Sequence, residues 1–257
     1  MQDLTISLIQ TSLEWESPKA NLSRLAELVR SLPVTDLVIL PEMFTTGFTM
    51  KPQGLAETPD GTALKWMKSL AAEKQAVITG SFIVEEDGNY FNRLFWVTPN
   101  GTTETYDKRH LFTLAGEEKV YQPGKQRLVT SWKGWRIMPL VCYDLRFPVW
   151  SRNRDEYDLL LYVANWPERR VSAWSRLLVA RAIENQAYVA GVNRIGEDGN
   201  GIYHSGHSAL IDPMGEVLWE VSHSEACYTI TLKADSLLQV REKLPFLNDR
   251  DSFTIHE

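Results

Sequence analysis

The chain contains 257 residues, of which 44% are hydrophobic and 23% charged, a composition typical of a globular protein with a substantial core. Its formal net charge of -6 and its lack of a basic tract argue against nucleic acid or an anionic membrane as a partner. Residues 1–10 carry no basic signal region and no apolar stretch approaches the roughly 18 residues that span a bilayer, so we predict a cytoplasmic protein. Cys142 and Cys227 do not make a disulfide framework, and we expect both to be reduced thiols.

The first half of the chain predicts strands that alternate with helices. Ser17 and Pro18 begin a helix with one apolar face, which Pro33 ends. The apolar run 37–40 predicts a strand buried on both faces, and a second helix is predicted with Asp60 as its N-cap. The other strands predicted in this half span residues 4–10, 76–82, 91–97 and 102–106.

The second half of the chain repeats this pattern. Residues 158–165 resemble residues 36–42, and residues 186–193 resemble residues 75–82 in the order of apolar and polar types. Each half therefore predicts a mixed sheet with helices on one face. Burying the other face of each sheet against its counterpart gives an α/β fold, a four-layer αββα sandwich of two mixed β-sheets with pseudo-two-fold internal symmetry.

The two halves are not separated by a linker. No Pro-, Gly- or Ser-rich segment lies between them, and no low-complexity tract occurs. We therefore predict a single domain over residues 1–257, with a polar tail at 244–257 that has no clear period.

Glu42, Lys108 and Cys142 each follow a predicted strand by one or two residues. Ligands of α/β folds bind outside the carboxyl ends of strands, so these three side chains are expected to meet at one cleft. Each residue also has a structural alternative. Glu42 could be a capping or loop carboxylate, Lys108 a solvated loop charge, and Cys142 a small buried apolar side chain.

The segments around these residues resemble the three signatures of the nitrilase, or carbon-nitrogen hydrolase, superfamily. Residues 40–44 read Leu-Pro-Glu-Met-Phe, residues 106–112 read Tyr-Asp-Lys-Arg-His-Leu-Phe, and residues 141–148 read Val-Cys-Tyr-Asp-Leu-Arg-Phe-Pro. The order and separation of the segments also fit, and the resemblance extends over nearly the whole chain. It implies the αββα sandwich, thiol-dependent hydrolysis without a cofactor or a metal, and a homodimer.

The resemblance also implies specific roles. The Glu–Lys–Cys triad of the family falls on Glu42, Lys108 and Cys142, and its additional glutamate falls on Glu117, with the adjacent Glu118 as the alternative. A free thiol with a pKa near about 8.5 needs positive charge or a base to become nucleophilic, which Lys108 and Glu42 would supply.

The remaining steps of the implied reaction use the same groups. Lys108 and the backbone N–H of Tyr143 would hold the oxyanion formed by attack on an amide. Glu42 would then protonate the departing ammonia and activate the water that hydrolyses the thioester.

Segments 165–170, 180–189 and 191–194 resemble the omega-amidases in particular, which hydrolyse the terminal amide of 2-oxoglutaramate or 2-oxosuccinamate. A substrate of this kind carries a carboxylate that needs a cationic partner, and Arg has the matching bidentate geometry. The candidate cations are Arg146, Arg169, Arg170 and Lys119.

Four residues are the predicted substrate contacts. Arg146 ranks first among the cations because it follows Cys142 closely, although an ion pair with Asp144 or Glu184 is its structural alternative. The other candidates are Phe44 and Trp166, as pocket walls or core residues, and Asn165.

Other interpretations of the sequence are weaker. His110 is the one histidine placed for a Cys–His pair, and His204 and His207 lack a third metal ligand at a recognised spacing. Residues 196–206 are predicted to form a flexible loop, and Cys227 is predicted to lie in the core. The functional alternatives are another amidase of the superfamily, acting on deaminated glutathione or an N-carbamoyl compound, and a non-catalytic binding protein.

Overall fold

The computed structural model describes residues 1–154 and 157–255 of the chain. The first half contains β1 (Leu4–Gln10), α1 (Pro18–Ser31), β2 (Leu37–Ile39), α2 (Thr62–Lys74), β3 (Val77–Glu86), β4 (Asn89–Val97) and β5 (Thr103–Asp107). The second half contains β6 (Thr130–Trp132), β7 (Trp135–Val141), α3 (Pro148–Ser151), β8 (Leu159–Ala164), α4 (Val171–Asn185), β9 (Tyr188–Asn193), β10 (Ile195–Glu197), β11 (Tyr203–Ile211), β12 (Val217–Ser222), β13 (Ala226–Leu232) and α5 (Ala234–Lys243). Short 3₁₀ turns span Thr113–Ala115, Glu117–Lys119, Cys142–Arg146, Glu168–Arg170 and Phe246–Asp249.

The strands form two mixed sheets with matching internal order. Within the described residues, one sheet has the order β13-β1-β2-β3-β4-β5, and the other has the order β10-β11-β9-β8-β7-β6 with β12 also paired to β11. In the first sheet β1, β2 and β3 are parallel, and in the second β7, β8 and β9 are parallel. An antiparallel strand flanks each parallel trio on both sides. The two sheets are therefore related by the predicted pseudo-two-fold repeat.

Side chains of both sheets meet in one buried core. Leu37 and Ile39 of β2 pack in a cluster with residues of β7, β8 and β9, whereas Val38 between them packs with α1 and α2. The strand β2 is buried on both faces for this reason, as its continuous apolar run predicts. Residues of α4 join the second sheet from its other side. The layers are thus helix, sheet, sheet and helix, which confirms the predicted sandwich.

Gly80 of β3 and Gly191 of β9 show how closely neighbouring side chains approach the backbone of these two strands. A Cβ atom at Gly191 would lie 2.6 Å from Leu178 Cδ1 of α4, and one at Gly80 would lie 2.8 Å from Leu40 Cβ. Only glycine permits such contacts without displacement of a neighbour. The two glycines occupy corresponding places in segments 75–82 and 186–193, whose similarity the sequence shows.

Two local predictions about helices and loops need correction. Helix α2 begins after Gly61 rather than after Asp60, because Asp60 accepts a hydrogen bond from Thr58 while Glu57 Oε2 accepts the helical N–H of Ala63 at 2.7 Å. Residues 196–206 are not a flexible loop. They form most of the β10–β11 hairpin, whose turn is closed by two N–H groups that donate to Asp198.

Cys227 lies on the exposed face of β13 and not in the core. Cys227 shares its face of β13 with Thr229 and Thr231, whereas Leu232 points inward. The polar tail from residue 244 begins with a 3₁₀ turn and packs Ile255 against the core, and its last two residues lie outside the described residues. In the described part of the chain no helix has the length and apolar character needed to cross a bilayer.

Candidate active site

The three strand-end residues lie at the same edge of the sandwich. Cys142 follows β7 directly and opens the 3₁₀ turn Cys142–Arg146, with a φ of 45°. Non-glycine residues in this left-handed region cost about 1–3 kcal/mol and cluster at functional sites. Met43, directly after Glu42, has a similar φ of 43°. Cys142 therefore lies at a sharp change of chain direction, and Glu42 lies directly before one. Both changes follow parallel strands.

Lys108 joins two buried carboxylates. Its Nζ donates to Glu42 Oε1 at 3.0 Å and to both carboxylate oxygens of Glu117, at 3.0 and 2.9 Å. The three side chains are at most 1% exposed. Glu117 also accepts the backbone N–H of Phe112 at 2.6 Å, whereas Glu118 is exposed. Of the two adjacent glutamates, Glu117 is the one placed against Lys108.

Two asparagines fix the orientation of the Glu42 carboxylate. Asn92 Nδ2 donates to Oε1 at 2.8 Å, and the backbone N–H of Asn165 donates to Oε2 at 2.7 Å. Asn165 Nδ2 donates in addition to the Glu42 carbonyl at 2.7 Å. Asn92 was absent from the predicted site, although an asparagine within the apolar strand β4 is the signal that could have identified it. Three donors at 3.0 Å or less thus hold a carboxylate that is fully buried, namely Lys108 Nζ, Asn92 Nδ2 and the Asn165 N–H.

Burial sets the protonation of this group of side chains. Burial raises the pKa of the Cys142 thiol well above its usual range and the Glu42 carboxylate raises it further, while Lys108 and the Asn165 N–H only partly oppose this. Burial also raises the pKa of Glu117, against the opposing effect of Lys108. Burial alone would lower the pKa of Lys108, but Glu117 and Glu42 outweigh it and raise that pKa.

These directions refine one expectation from the sequence. Lys108 does lower the pKa of Cys142 as expected, but burial and the Glu42 charge raise it by more, so the resting thiol is protonated at neutral pH. A protonated thiol becomes a strong nucleophile only when a neighbouring base removes its proton during attack. The base must therefore contact the thiol, and Glu42 is the carboxylate that does so.

A cavity of about 410 Å³ opens in front of the thiol. Its lining includes Cys142, Tyr143 and Lys108, together with Asn165 and Trp166. Tyr143 is the second residue of the 3₁₀ turn, a position at which the backbone N–H has no partner within the turn. That N–H is therefore available beside the thiol.

Three arginines line the same cavity, namely Arg146, Arg169 and Arg170. The guanidinium of Arg146 lies 4.9 Å from the centre of the Trp166 ring, and that of Arg170 lies 4.9 Å from the centre of the Phe112 ring. Burial and the neighbouring Arg169 lower the pKa of Arg170. This concentration of positive charge makes the cavity suitable for an anion.

The structural alternative for Arg146 does not hold in the described residues. Glu184 pairs with Arg181 at 2.9 Å, and Asp144 accepts hydrogen bonds from His110 and Tyr106 instead. Lys119, the fourth candidate cation, is exposed and does not line the cavity. His110 contacts Asp144 rather than the thiol, so the structure shows no Cys–His pair there.

Phe44 is a core residue, and the prediction that it walls the pocket is wrong. It is fully buried between Trp66 and Phe82 on the helix side of the first sheet. The turn that begins at Met43 directs the chain so that Phe48, four residues after Phe44, lines the cavity instead.

Histidines do not create a metal site in the part of the chain that the structure describes. No group of three His, Cys, Asp or Glu side chains there could hold a metal ion. His204 is buried at the edge of the cavity, where burial and Arg194 lower its pKa to about 4. His207 pairs with Glu220 on the surface.

An αββα sandwich that presents a thiol, an ammonium group and buried carboxylates at one cavity is an arrangement suited to hydrolysis through a nucleophile. The sequence model of the carbon-nitrogen hydrolase family matches residues 5–241, and the chain belongs to this family, the nitrilase superfamily, in its omega-amidase branch. The protein is accordingly a hydrolase of carbon–nitrogen bonds.

Individual relatives cover almost the whole chain. The omega-amidase YafV of Yersinia enterocolitica is 45% identical over 256 residues, covering 99% of this chain and 100% of the relative. The 2-oxoglutaramate amidase of Bacillus subtilis is 31% identical, covering 95% of this chain and 96% of the relative. A crystal structure of a CN-hydrolase superfamily protein from Xanthomonas campestris, with an arsenic adduct in its active site, is 46% identical with a TM-score of 0.98, and each chain is covered completely.

Proposed function

We propose that this protein is an omega-amidase that converts the terminal amide of a small 2-oxo acid, 2-oxoglutaramate or 2-oxosuccinamate, into the 2-oxo diacid and ammonia. The observation that carries the proposal is the cavity that joins Cys142 and Lys108 to three arginines. The activities named for the Yersinia and Bacillus relatives support the same substrate class.

The proposed reaction begins when the Cys142 thiol attacks the amide carbon and passes its proton to Glu42. The carbonyl oxygen becomes an oxyanion, which the Lys108 ammonium and the Tyr143 N–H stabilise. Each such donor is typically worth about a hundred- to a thousandfold in rate. The protonated thiol of the resting enzyme makes the transfer to Glu42 part of the attack itself.

Collapse of this intermediate breaks the carbon–nitrogen bond. Glu42 returns its proton to the nitrogen, so ammonia leaves and a thioester to Cys142 remains. Proton transfer of this kind contributes about a hundred- to ten-thousandfold. A water molecule then gives its proton to Glu42 and attacks the thioester, which releases the acid and restores the thiol.

Glu117 has a supporting role in this scheme. It holds Lys108 independently of Glu42, through bonds of 3.0 and 2.9 Å to the same Nζ. The ammonium therefore keeps its position while the proton on Glu42 comes and goes.

The distal carboxylate of the substrate is proposed to bind among Arg146, Arg169 and Arg170. Trp166 supports the Arg146 guanidinium by a cation–π contact, which leaves the N–H edge of the guanidinium available for a carboxylate. Asn165 is proposed to contact the substrate amide, because its Oδ1 is buried beside the cavity without a partner among the described residues.

The thiol role of Cys142 has independent chemical support. Arsenic compounds bond readily to thiols, and the Xanthomonas relative carries an arsenic adduct in its active site. We further propose that residues 1–257 act as one domain, since the buried core contains residues from Leu4 to Leu237. The homodimer and the cytoplasmic location stay predictions.

The test is ammonia release from 2-oxoglutaramate by the wild-type protein and by Cys142→Ala. We expect turnover by the wild type and none by the variant. Equal rates in the two proteins would refute the mechanism. If the wild type hydrolyses deaminated glutathione or an N-carbamoyl compound but not the 2-oxo acid amide, the mechanism stands and the substrate assignment fails.

A further inference from the structure

We propose that Asp144 is a positioning residue that fixes Lys108 relative to Cys142. The inference rests on the proposed function, because Asp144 would act through those two residues and not on the substrate. Asp144 is fully buried and is the third residue of the 3₁₀ turn that begins at Cys142.

The Asp144 carboxylate accepts four hydrogen bonds. Oδ1 accepts the backbone N–H of His110 at 2.9 Å and lies 2.8 Å from His110 Nδ1. Oδ2 accepts the Tyr106 hydroxyl at 2.7 Å and the backbone N–H of Val141 at 3.1 Å. Each carboxylate oxygen therefore receives two donors. Both hydrogen bonds to Oδ2 are buried.

The sequence positions of these donors show which segments of the chain the network connects. Tyr106 precedes Lys108 by two residues and His110 follows it by two, so the chain is tied to one carboxylate on both sides of the lysine. That carboxylate lies two residues beyond Cys142, and its fourth donor, Val141, lies directly before Cys142. A single side chain thus joins the segment that carries the ammonium to the turn that carries the thiol.

Neighbouring contacts make the network rigid. The Tyr106 hydroxyl also accepts Trp150 Nε1 at 3.0 Å and the Arg109 N–H at 3.2 Å. The His110 ring stacks on Phe147, with ring centres 3.6 Å apart and an interplanar angle of 4°. The donors consequently cannot swing away to follow a displaced carboxylate.

Replacing Asp144 with Asn changes the chemistry with little change in shape. An amide presents a donor where a carboxylate oxygen accepted two bonds, so it would face the Val141 N–H or the His110 N–H donor to donor. The segment carrying Lys108 would then separate from the turn. Lys108 would lose its position at the oxyanion, and its positive charge would act less strongly on the thiol.

The experiment compares full-length Asp144→Asn with two further variants, all in a Cys227→Ser background that removes the exposed thiol. Tyr106→Phe removes one of the four bonds. Thr35→Val is the matched control, since Thr35 is also buried and its hydroxyl donates to the Thr5 and Leu37 carbonyls, at the opposite ends of β1 and β2 from the site.

Two measurements are made on each variant after its melting temperature is known. The first is kcat and KM for ammonia release. The second is the rate of Cys142 alkylation by iodoacetamide from pH 6 to pH 11, where the charged groups acting on the thiol are Glu42, Lys108 and Arg170.

For Asp144→Asn we expect kcat to fall about a hundredfold, the typical effect of losing one oxyanion donor, with KM changed less than about threefold. Its alkylation profile should move to higher pH, and Tyr106→Phe should shift both quantities in the same direction by less. Thr35→Val should melt at a lower temperature with kcat and the alkylation profile unchanged.

An Asp144→Asn protein that keeps wild-type kcat, or loses kcat with an unchanged alkylation profile, would overturn the proposal. If Asp144→Asn does not fold, the changes in kcat and in the alkylation profile of Tyr106→Phe test the proposal instead. An unchanged alkylation profile in that variant would then overturn it. The alkylation profile needs no substrate, so it remains decisive even if the proposed 2-oxo acid amide is not turned over.

Discussion

Lys108→Met should destabilise the protein, because it leaves the buried carboxylates of Glu42 and Glu117 without the ammonium group that compensates their charge. The Nζ atom lies 3.0 Å or less from oxygens of both Glu42 and Glu117, and all three side chains are inaccessible to solvent. Removing one partner of a buried ion pair typically costs about 3–5 kcal/mol, because the remaining charge stays buried without compensation. We expect a loss of about this size in the free energy of unfolding at pH 8.

The loss should depend on pH in a defined direction. An unpaired buried carboxyl has a folded-state pKa above its unfolded value of about 4.3, so the folded state binds more protons and stability falls as pH rises through that window. A rise of about two pKa units corresponds to about 3 kcal/mol. Because pH 4.5 lies just above the unfolded pKa, most of this difference is present there, and the destabilisation by Lys108→Met should be about 2 kcal/mol smaller at pH 4.5 than at pH 8.

Urea unfolding at the two pH values measures this effect. The control is the double variant Lys108→Met with Glu117→Gln, which removes one of the two stranded charges and should regain about half of the lost stability at pH 8. A loss that is equal at pH 4.5 and pH 8, with no recovery in the double variant, would show that Lys108 contributes packing rather than charge compensation.

Four further outcomes are expected. Cys142→Ala should lower ammonia release by at least about a thousandfold while Cys227→Ser stays within about twofold, as end-point assays would show. Arg170→Met should raise KM for an anionic amide about tenfold or more but leave KM for a neutral amide nearly unchanged, as loss of a charged hydrogen bond requires. Alkylation of wild-type Cys142 should continue to accelerate above pH 9 because burial raises the thiol pKa, and a plateau at pH 7 would contradict this. Sedimentation equilibrium should return about twice the chain mass of 29.4 kDa, whereas a single chain mass would exclude the homodimer.

The ends of strands were the most predictable part of the site. An apolar run that stops at Glu42 or Cys142 marks a strand end by composition alone, and parallel strands bring such ends to one edge. Gly80 and Gly191 likewise belong to segments whose similarity predicts the repeat. These features depend on local sequence and on a general rule about α/β sheets.

Features that depend on contacts across the fold were not predictable in the same way. Asn92 reaches Glu42 across 50 positions of sequence, and its role follows only from the pairing of β3 with β4. The burial of Phe44 was not predictable, because the left-handed backbone of Met43 directly before it turns the chain, and Phe48 lines the cavity instead. The thiol pKa of Cys142 depends on the depth of burial, which the sequence does not reveal.

The central claim is a thioester between the substrate acyl group and Cys142. It is tested most directly with Glu42→Gln and the methyl ester of the 2-oxo diacid, at pH 9. The substitution removes the Glu42 charge that raises the thiol pKa, so solvent hydroxide can take the thiol proton at this pH. The alcohol then leaves with less need of the Glu42 proton, whereas hydrolysis of the thioester still lacks its base. Intact-mass spectrometry after acid quench should show the protein plus one acyl group, located on the peptide containing Cys142 and absent from Cys142→Ala. A spectrum of unmodified protein throughout slow turnover would contradict the covalent mechanism.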